Sequence, residues 1–396
     1  MTPDPRTPVV VAGLRTPITT AGRALAGTPV HALAAPVLRA LADRLPPDPP
    51  VDDVVLGNCR GPGGNTARVA ALAAGLGAAV PGLTVDRQCG SGLEAVRLAA
   101  GLVAGGAGQV YLAGGAESAS TAPHRAWPPT APGEEAVRYT RAPFAPPGHP
   151  DPDMGEAADA LARRCGVSRE RQDAYAARSH ARALAAAARG AFVAELVPVA
   201  GATADDRPRR LHARRLARFP PAFGAGGSVT AGTSSGVSDG AAAVAVVSER
   251  VRARLGVPGA AVRAAAVAGV DPATPGLGPV PAVRAALERA GVALDDVGVV
   301  EVGEAFAAQV LAVTDALGLD PLGADAERVC PDGGALALGH PWGATGAVLV
   351  VRLLARLLAP GGPRYGLAAC AVGGGQGVAV LLERVGADGG ADGGGG

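Results

Sequence analysis

The stretch Asp86-Arg87-Gln88-Cys89-Gly90-Ser91-Gly92-Leu93-Glu94-Ala95-Val96 combines residue types and spacing that could do covalent chemistry. A β-type run, Leu83-Thr84-Val85, leads in, and an Ala/Leu-rich helical pattern continues from Leu93 towards Val103, which puts Cys89 at a strand-to-helix turn. Such a turn aims unpaired N–H groups and the positive end of the helix dipole at the sulfur. That environment favours thiolate over thiol and predicts a nucleophile, while the flanking glycines admit a substrate thioester. The alternative is a small core cysteine at a tight turn. His340 occupies a matching place: Gly339-His340-Pro341-Trp342-Gly343-Ala344-Thr345-Gly346 opens a helical pattern that runs to Leu358. Two such halves packed together bring both glycine-flanked helix starts towards each other.

The elements that must position these residues alternate between strand and helix patterns. Val9 to Gly13 reads as a buried strand, Pro29 to Arg44 as a helix and Val51 to Leu56 as a strand, and Asn65 or Thr66 caps a helix reaching Leu76. Val110 to Gly115 is a further strand, and the alternation predicts a largely parallel, layered sheet. The rhythm breaks after Ala119. Pro and Gly crowd Pro123 to Pro152, two helical patterns follow (Met154 to Cys165 and Ser168 to Arg189), and an arginine-rich stretch runs from Arg207 to Arg218. This insertion has the composition of a lid or binding segment. Strand patterns resume at Gly240 to Val247, Ala261 to Val270 and Val297 to Val302, with helices expected over Val280 to Ala290 and Glu304 to Leu317. Leu367 to Val372 and Gly377 to Leu382 are strands either side of Gly373-Gly374-Gly375.

Composition bounds the function. The chain has 396 residues, 48% of them hydrophobic but only 3% aromatic, so its core must be built from Ala, Val and Leu. A formal charge of +1 excludes the basic excess that a nucleic-acid surface needs. Lysine is absent and every side-chain cation outside histidine is arginine. The five cysteines (Cys59, Cys89, Cys165, Cys330 and Cys370) have neither CxxC nor Cys/His ligand spacing, so no metal site or disulfide framework is expected. No signal-peptide core follows Met1 and no apolar run reaches membrane-spanning length, which gives the expectation of a soluble, cytoplasmic protein.

Taken in order, several blocks resemble the thiolases, coenzyme-A-dependent acyltransferases. They include Ala12 to Ile18, Cys89 to Glu94, Ala113 to Ser118, Met154 to Ala158, Gly166 to Asp173, Arg178-Ser179-His180, Val229 to Gly232, Ser235 to Ala242, Glu304 to Ala307, Gly333 to Gly346 and Gly373 to Gly377. The resemblance implies an α/β chain with a duplicated five-layer αβαβα fold and an inserted loop domain. The expected division is an N-terminal half (1–117 plus 236–256), an insertion (118–235), a C-terminal half (257–384) and a disordered Gly/Asp tail (385–396). It further implies that Cys89 takes an acyl group from a thioester and that His340 activates it. The N–H groups of Cys89 and Gly373 would form an oxyanion hole, with Ser235 and Met154 binding substrate. Arg209, Arg210, Arg214 and Arg215 are candidates for the coenzyme A phosphates.

The chain departs from the family pattern at chemically meaningful places. The asparagine of an Asn-Glu-Ala-Phe motif is replaced, giving Gly303-Glu304-Ala305-Phe306. An oxyanion donor of this kind typically contributes about 2.7–4 kcal/mol. Glu304 remains, as a catalytic group or a structural hydrogen-bond partner. The second cysteine, the base that removes an α-proton, lies two positions before the triple glycine in the family; Ala371 stands there and Cys370 one residue earlier. A one-residue shift in a strand turns a side chain to the opposite face, so Cys370 reaches the pocket only through a bulge. Asp332 also stands where the family has asparagine before paired glycines. The expectation is an acyltransferase that loads Cys89 and transfers to an acceptor without Claisen base chemistry. One alternative is a conventional acetyl-CoA C-acyltransferase using Cys370 as acid/base, and another is a non-catalytic scaffold subunit. Coenzyme A or acyl-carrier-protein thioesters are the expected donors, with no tightly bound cofactor, no nucleic acid and no membrane. A homodimer or homotetramer, with a further partner subunit as an option, completes the expectation.

Overall fold

The computed structural model describes residues 4–386. The chain begins β1 (Pro8–Arg15), β2 (Thr19–Thr20), α1 (Val30–Ala42), β3 (Asp53–Gly57), α2 (Thr66–Ala73), β4 (Gly82–Val85), α3 (Ser91–Ala104) and β5 (Val110–Ser118). The insertion holds β6 (Arg125–Trp127), β7 (Val137–Tyr139), α4 (Met154–Arg164), α5 (Arg169–Ala188) and α6 (Ala213–Leu216). β8 (Ser238–Ser248) and α7 (Glu249–Leu255) follow. The last part runs β9 (Gly259–Gly269), α8 (Pro279–Ala290), β10 (Val297–Val302), α9 (Ala307–Leu317), α10 (Ala335–Leu338), α11 (Trp342–Leu357), β11 (Tyr365–Val372) and β12 (Gln376–Val385). Caps fall where side chains can reach back: Asn65 accepts from the Arg68 N–H and Ser168 from the Arg171 N–H.

The strands pair in the order β10-β11-β12-β9-β1-β8-β5-β3-β4. The sheet is mixed, which corrects the expectation of a largely parallel one. β3 is parallel to β4 and β5, and β10 to β11, but β8 enters antiparallel between β1 and β5. β11 and β12 are likewise antiparallel, because three glycines join them as a hairpin and a tight turn can only reverse direction. Three apolar clusters separate the layers. One lies under α1 and α2, one between the two halves of the sheet around α3 and α11, and one under α8 and α9. The order is therefore helix, sheet, helix, sheet, helix: an α/β five-layer fold with α3 and α11 in the middle.

Two boundaries also differ from the sequence reading. The expected helix from Glu304 starts only at Ala307, because Gly303 to Phe306 leaves β10 as an extended turn tied to the neighbouring loop. The N–H of Ser235 donates to the Ala305 carbonyl, and that of Ala307 to the Thr233 carbonyl, each at 2.9 Å. Val385, assigned to the tail, ends β12, while residues 387–396 lie outside the described residues.

Glycine makes the central layer possible. A Cβ on Gly92 of α3 would lie 2.7 Å from the Gly343 carbonyl oxygen and 2.8 Å from the Ala347 nitrogen of α11. One on Gly346 would lie 2.3 Å from the Leu93 nitrogen. These contacts are with backbone, so a methyl group forces the helices apart. Gly92→Ala is expected to cost about 1–3 kcal/mol, the usual range for overpacking, read as a lower urea midpoint at unchanged slope.

Candidate active site

Cys89 is the last residue but one before α3, in a turn shaped by side chains on both flanks. The Asp86 carboxylate accepts from the Gln88 N–H at 2.8 Å, and Ser91 Oγ accepts from the Arg87 N–H at 2.7 Å while donating to the Gln88 carbonyl at 2.6 Å. The Cys59 thiol donates to the same carbonyl at 3.1 Å. Gln88 is thereby held at φ +44°, in the left-handed region that a non-glycine residue rarely adopts. Gly57 lies directly beneath the turn, since a Cβ there would come within 2.5 Å of the Ser91 carbonyl carbon.

His340 is pinned from the other half. Its N–H donates to the Gly236 carbonyl at 2.9 Å, and its Nδ1 is 2.7 Å from Thr345 Oγ1 on the first turn of α11. Its Nε2 has no partner among the described residues, and the residue lines the same cavity as Cys89. Glu117, buried at the end of β5, ties the turn after β3 to the start of α11. It accepts from the N–H groups of Cys59 and Arg60 at the end of β3 and from that of Gly343 at the start of α11, each at 3.1 Å. An acidic group at a helix N-terminus complements the dipole there.

The cavity has a volume of about 420 Å³ and is mostly apolar. Of the residues singled out from sequence, Cys89, His340, Ser235, Met154 and Gly373 line it. Phe223, Phe306 and Trp342 add aromatic wall, and Phe144 covers Gly373, where a Cβ would meet its ring at 2.7 Å. The loop hydrogen bonds among the described residues use neither the Cys89 nor the Gly373 N–H as a donor.

Cys370 and Glu304 do not line the cavity, although Cys370 is near enough to Cys89 for the two sulfurs to interact electrostatically. Ala371 lines the cavity, whereas Cys370 is 1% exposed and belongs to the apolar cluster around α3 and α11. Its sulfur is 3.2 Å from the point where a Cβ on Gly303 would sit, so it packs against the residue that replaces the motif asparagine. β11 pairs with β12 in unbroken register, without the bulge that would turn Cys370 round. Glu304 is fully buried and accepts from Tyr175 Oη at 2.8 Å, Ser179 Oγ at 2.7 Å and the Leu336 N–H at 3.1 Å. It fastens α5 of the insertion to the start of α10. Arg209, Arg210, Arg214 and Arg215 are not among the described residues lining the cavity; the cationic side chain there is Arg141, held by Asp151 at 2.7 Å.

Electrostatics corrects the thiolate expectation. Burial pushes the Cys89 thiol up to about 12; its own N–H opposes this, and Glu117 and Asp86 add to the rise. Desolvation outweighs the one N–H that opposes it. The same burial lowers His340 to about 4, leaving a neutral imidazole. A protonated thiol beside a neutral base calls for proton transfer during attack rather than a preformed anion. Thr345 was not singled out from sequence, although a hydroxyl five residues after a histidine at a helix start is a signal that could have found it.

Among the described residues no group of side chains has the make-up of a metal site, and no helix is long and apolar enough to cross a membrane.

The model of the thiolase N-terminal domain matches residues 8–250, and that of the thiolase C-terminal domain matches 257–384. An acetyl-CoA acetyltransferase of Pseudomonas aeruginosa is 41% identical, covering 95% of this chain and 99% of its own. A 3-ketoacyl-CoA thiolase of Pseudoalteromonas translucida is also 41% identical, over 96% of this chain and 99% of its own. The crystal structure of the Bacillus anthracis acetyl-CoA acetyltransferase superposes with a TM-score of 0.88 at 38% identity, covering 96% of this chain and 99% of that one. With both domain models matched and the five-layer fold shared over nearly its whole length, the chain belongs to the thiolase family of acyltransferases.

Proposed function

We propose that this acyltransferase takes an acyl group from a coenzyme A thioester onto Cys89 and passes it to an acceptor without using a thiol as carbon-acid base. The observation that carries the reading is Ala371 in the cavity wall with Cys370 packed behind Gly303. The Cys89 proton goes to His340 Nε2 as the sulfur attacks the thioester carbonyl, and the departing coenzyme A thiolate takes that proton back. The N–H groups of Cys89 and Gly373 receive the oxyanion. In the second half His340 takes a proton from the acceptor, an amine, alcohol, electron-rich ring or water. The acceptor attacks the acyl carbonyl, and the Cys89 thiolate leaves and is reprotonated. Ser235 and Met154 line the approach for the thioester arm.

A second reading, conventional thiolase chemistry, is favoured by the relatives, an acetyl-CoA acetyltransferase and a 3-ketoacyl-CoA thiolase. It requires the α-proton to go to His340 or to a water beside it, since the cavity wall carries no second thiol among the described residues. A homodimer in the cytoplasm accompanies either reading; β4 leaves an open sheet edge with Leu83 42% exposed, a surface that pairing would cover.

Incubation with acetyl-CoA is expected to add one acetyl group to Cys89, seen by intact mass and peptide mapping and absent in Cys89→Ala. His340→Ala should slow loading by roughly 10²–10⁴-fold, and no adduct with any acyl-CoA would overturn the loading step. The two readings separate on Ala371→Cys. Under the first, wild type makes negligible acetoacetyl-CoA and the variant gains that activity. Under the second, wild type already makes it and the variant gains nothing.

A further inference from the structure

A small void that His340 does not line is bounded by its two chain neighbours, Gly339 and Pro341, and by Glu301, Thr345 and Arg352 with apolar neighbours. The volume that a water centre can occupy is about 10 Å³, the room one water needs. Glu301 is 1% exposed, and neither of its carboxyl oxygens has a partner among the described residues. Arg352, 2% exposed, bonds Glu195 and Asp332 through its terminal nitrogens but leaves Nε unpartnered. Three orphaned polar atoms on two residues that line one water-sized void are a costly arrangement unless something bridges them.

Thr345 connects this void to the catalytic base. For His340 Nε2 to accept the Cys89 proton, Nδ1 must carry the ring hydrogen and donate it to Thr345 Oγ1, 2.7 Å away. The Thr345 hydroxyl hydrogen then needs its own acceptor, and the hydrogen bonds of the described residues give it none. We propose that a water held by Glu301, Arg352 Nε and the Thr345 hydroxyl completes this chain, making Glu301 a positioning residue that tunes the basicity of His340 through Thr345. This role rests on His340 acting as the base for Cys89.

The surroundings set the direction. Burial raises the Glu301 carboxyl to about 8, with Asp332 and Glu304 adding to the rise and Arg352 and Arg356 opposing it. Near neutral pH the group is uncharged and His340 faces no anion from this side. As pH climbs through the Glu301 midpoint, a carboxylate appears behind Thr345, favours positive charge on the imidazole and strengthens the base.

Three measurements test this. A wild-type crystal structure is expected to hold an ordered water touching Glu301, Arg352 Nε and Thr345 Oγ1; a dry void would overturn the proposal. In NMR of protein labelled with 15N-histidine, the His340 signal, assigned by its loss in His340→Gln, should move with a midpoint near 8. That movement should vanish in the near-isosteric Glu301→Gln and in Thr345→Val, and persist in Thr345→Ser. The same movement surviving in a folded Glu301→Gln variant would overturn the link. The rate of Cys89 acetylation should rise through that midpoint in wild type only, with Thr345→Val slower by about 10–100-fold. If wild type is not acetylated at all, the function proposed above fails, while the NMR and crystallographic results still decide the relay.

Discussion

The backbone contact between α3 and α11 is the constraint on which the site depends. Each helix starts at one of the two turns that carry Cys89 and His340, and each belongs to a different half of the chain. Gly92 and Gly346 let the helices meet backbone to backbone, and Gly115 of β5 adds to this, since a Cβ there would lie 1.9 Å from the Gly343 carbonyl oxygen. Such approach is available only where side chains are absent. Once the helices are locked together, their N-terminal ends and the residues just ahead of them face a common cavity. Glu117 adds to this arrangement by accepting from the turn after β3 and from the start of α11 at once.

Burial then sets the chemistry. Removing water from Cys89 and His340 disfavours the charged form of each, so the thiol keeps its proton and the imidazole stays neutral. These are the protonation states that proton transfer at the moment of attack requires. Glycine-lined turns and aromatic walls supply the dry surroundings, and in the proposed reaction the N–H groups of Cys89 and Gly373 are the donors for the charge that develops on oxygen.

A buried network of arginines and carboxylates holds the insertion to this frame. Arg15 pairs with Glu195 and Asp205, Arg352 with Glu195 and Asp332, and Asp332 also takes Arg189 and Arg356. Burial alone would raise the Asp332 carboxyl, but Arg356, Arg352 and Arg189 hold it below its usual range. This explains the acidic residue ahead of Gly333-Gly334: three arginines converge there, and an amide would leave them without a counter-charge. Removing one partner from such a network is strongly destabilising, because the remaining charges stay buried.

Much of this could be read along the chain. Local patterns placed β10 at its observed bounds and most other strands and helices to within a few residues, and turn chemistry singled out Cys89 and His340 as the starts of corresponding helices. The period of two in a strand sets Ala371 and Cys370 on opposite faces; Ala371 lines the cavity and Cys370 does not, while Val372 beyond them lines it too. What local pattern could not supply was strand direction, since β8 runs antiparallel only because of where the chain re-enters after the insertion. Nor could it supply the state of the thiol. The helix-terminus argument counts nearby dipoles, whereas desolvation depends on every residue that closes over the sulfur. The orphaned Glu301 and the contact of His340 Nδ1 with Thr345 likewise belong to the tertiary structure. Residues 301, 340, 345 and 352 come from two separate elements and the loop before one of them, and only packing makes them neighbours. The sequence by itself determined which residues could react. The packed structure decided their protonation, their partners and the faces they present, because those quantities depend on burial by residues distant in the chain.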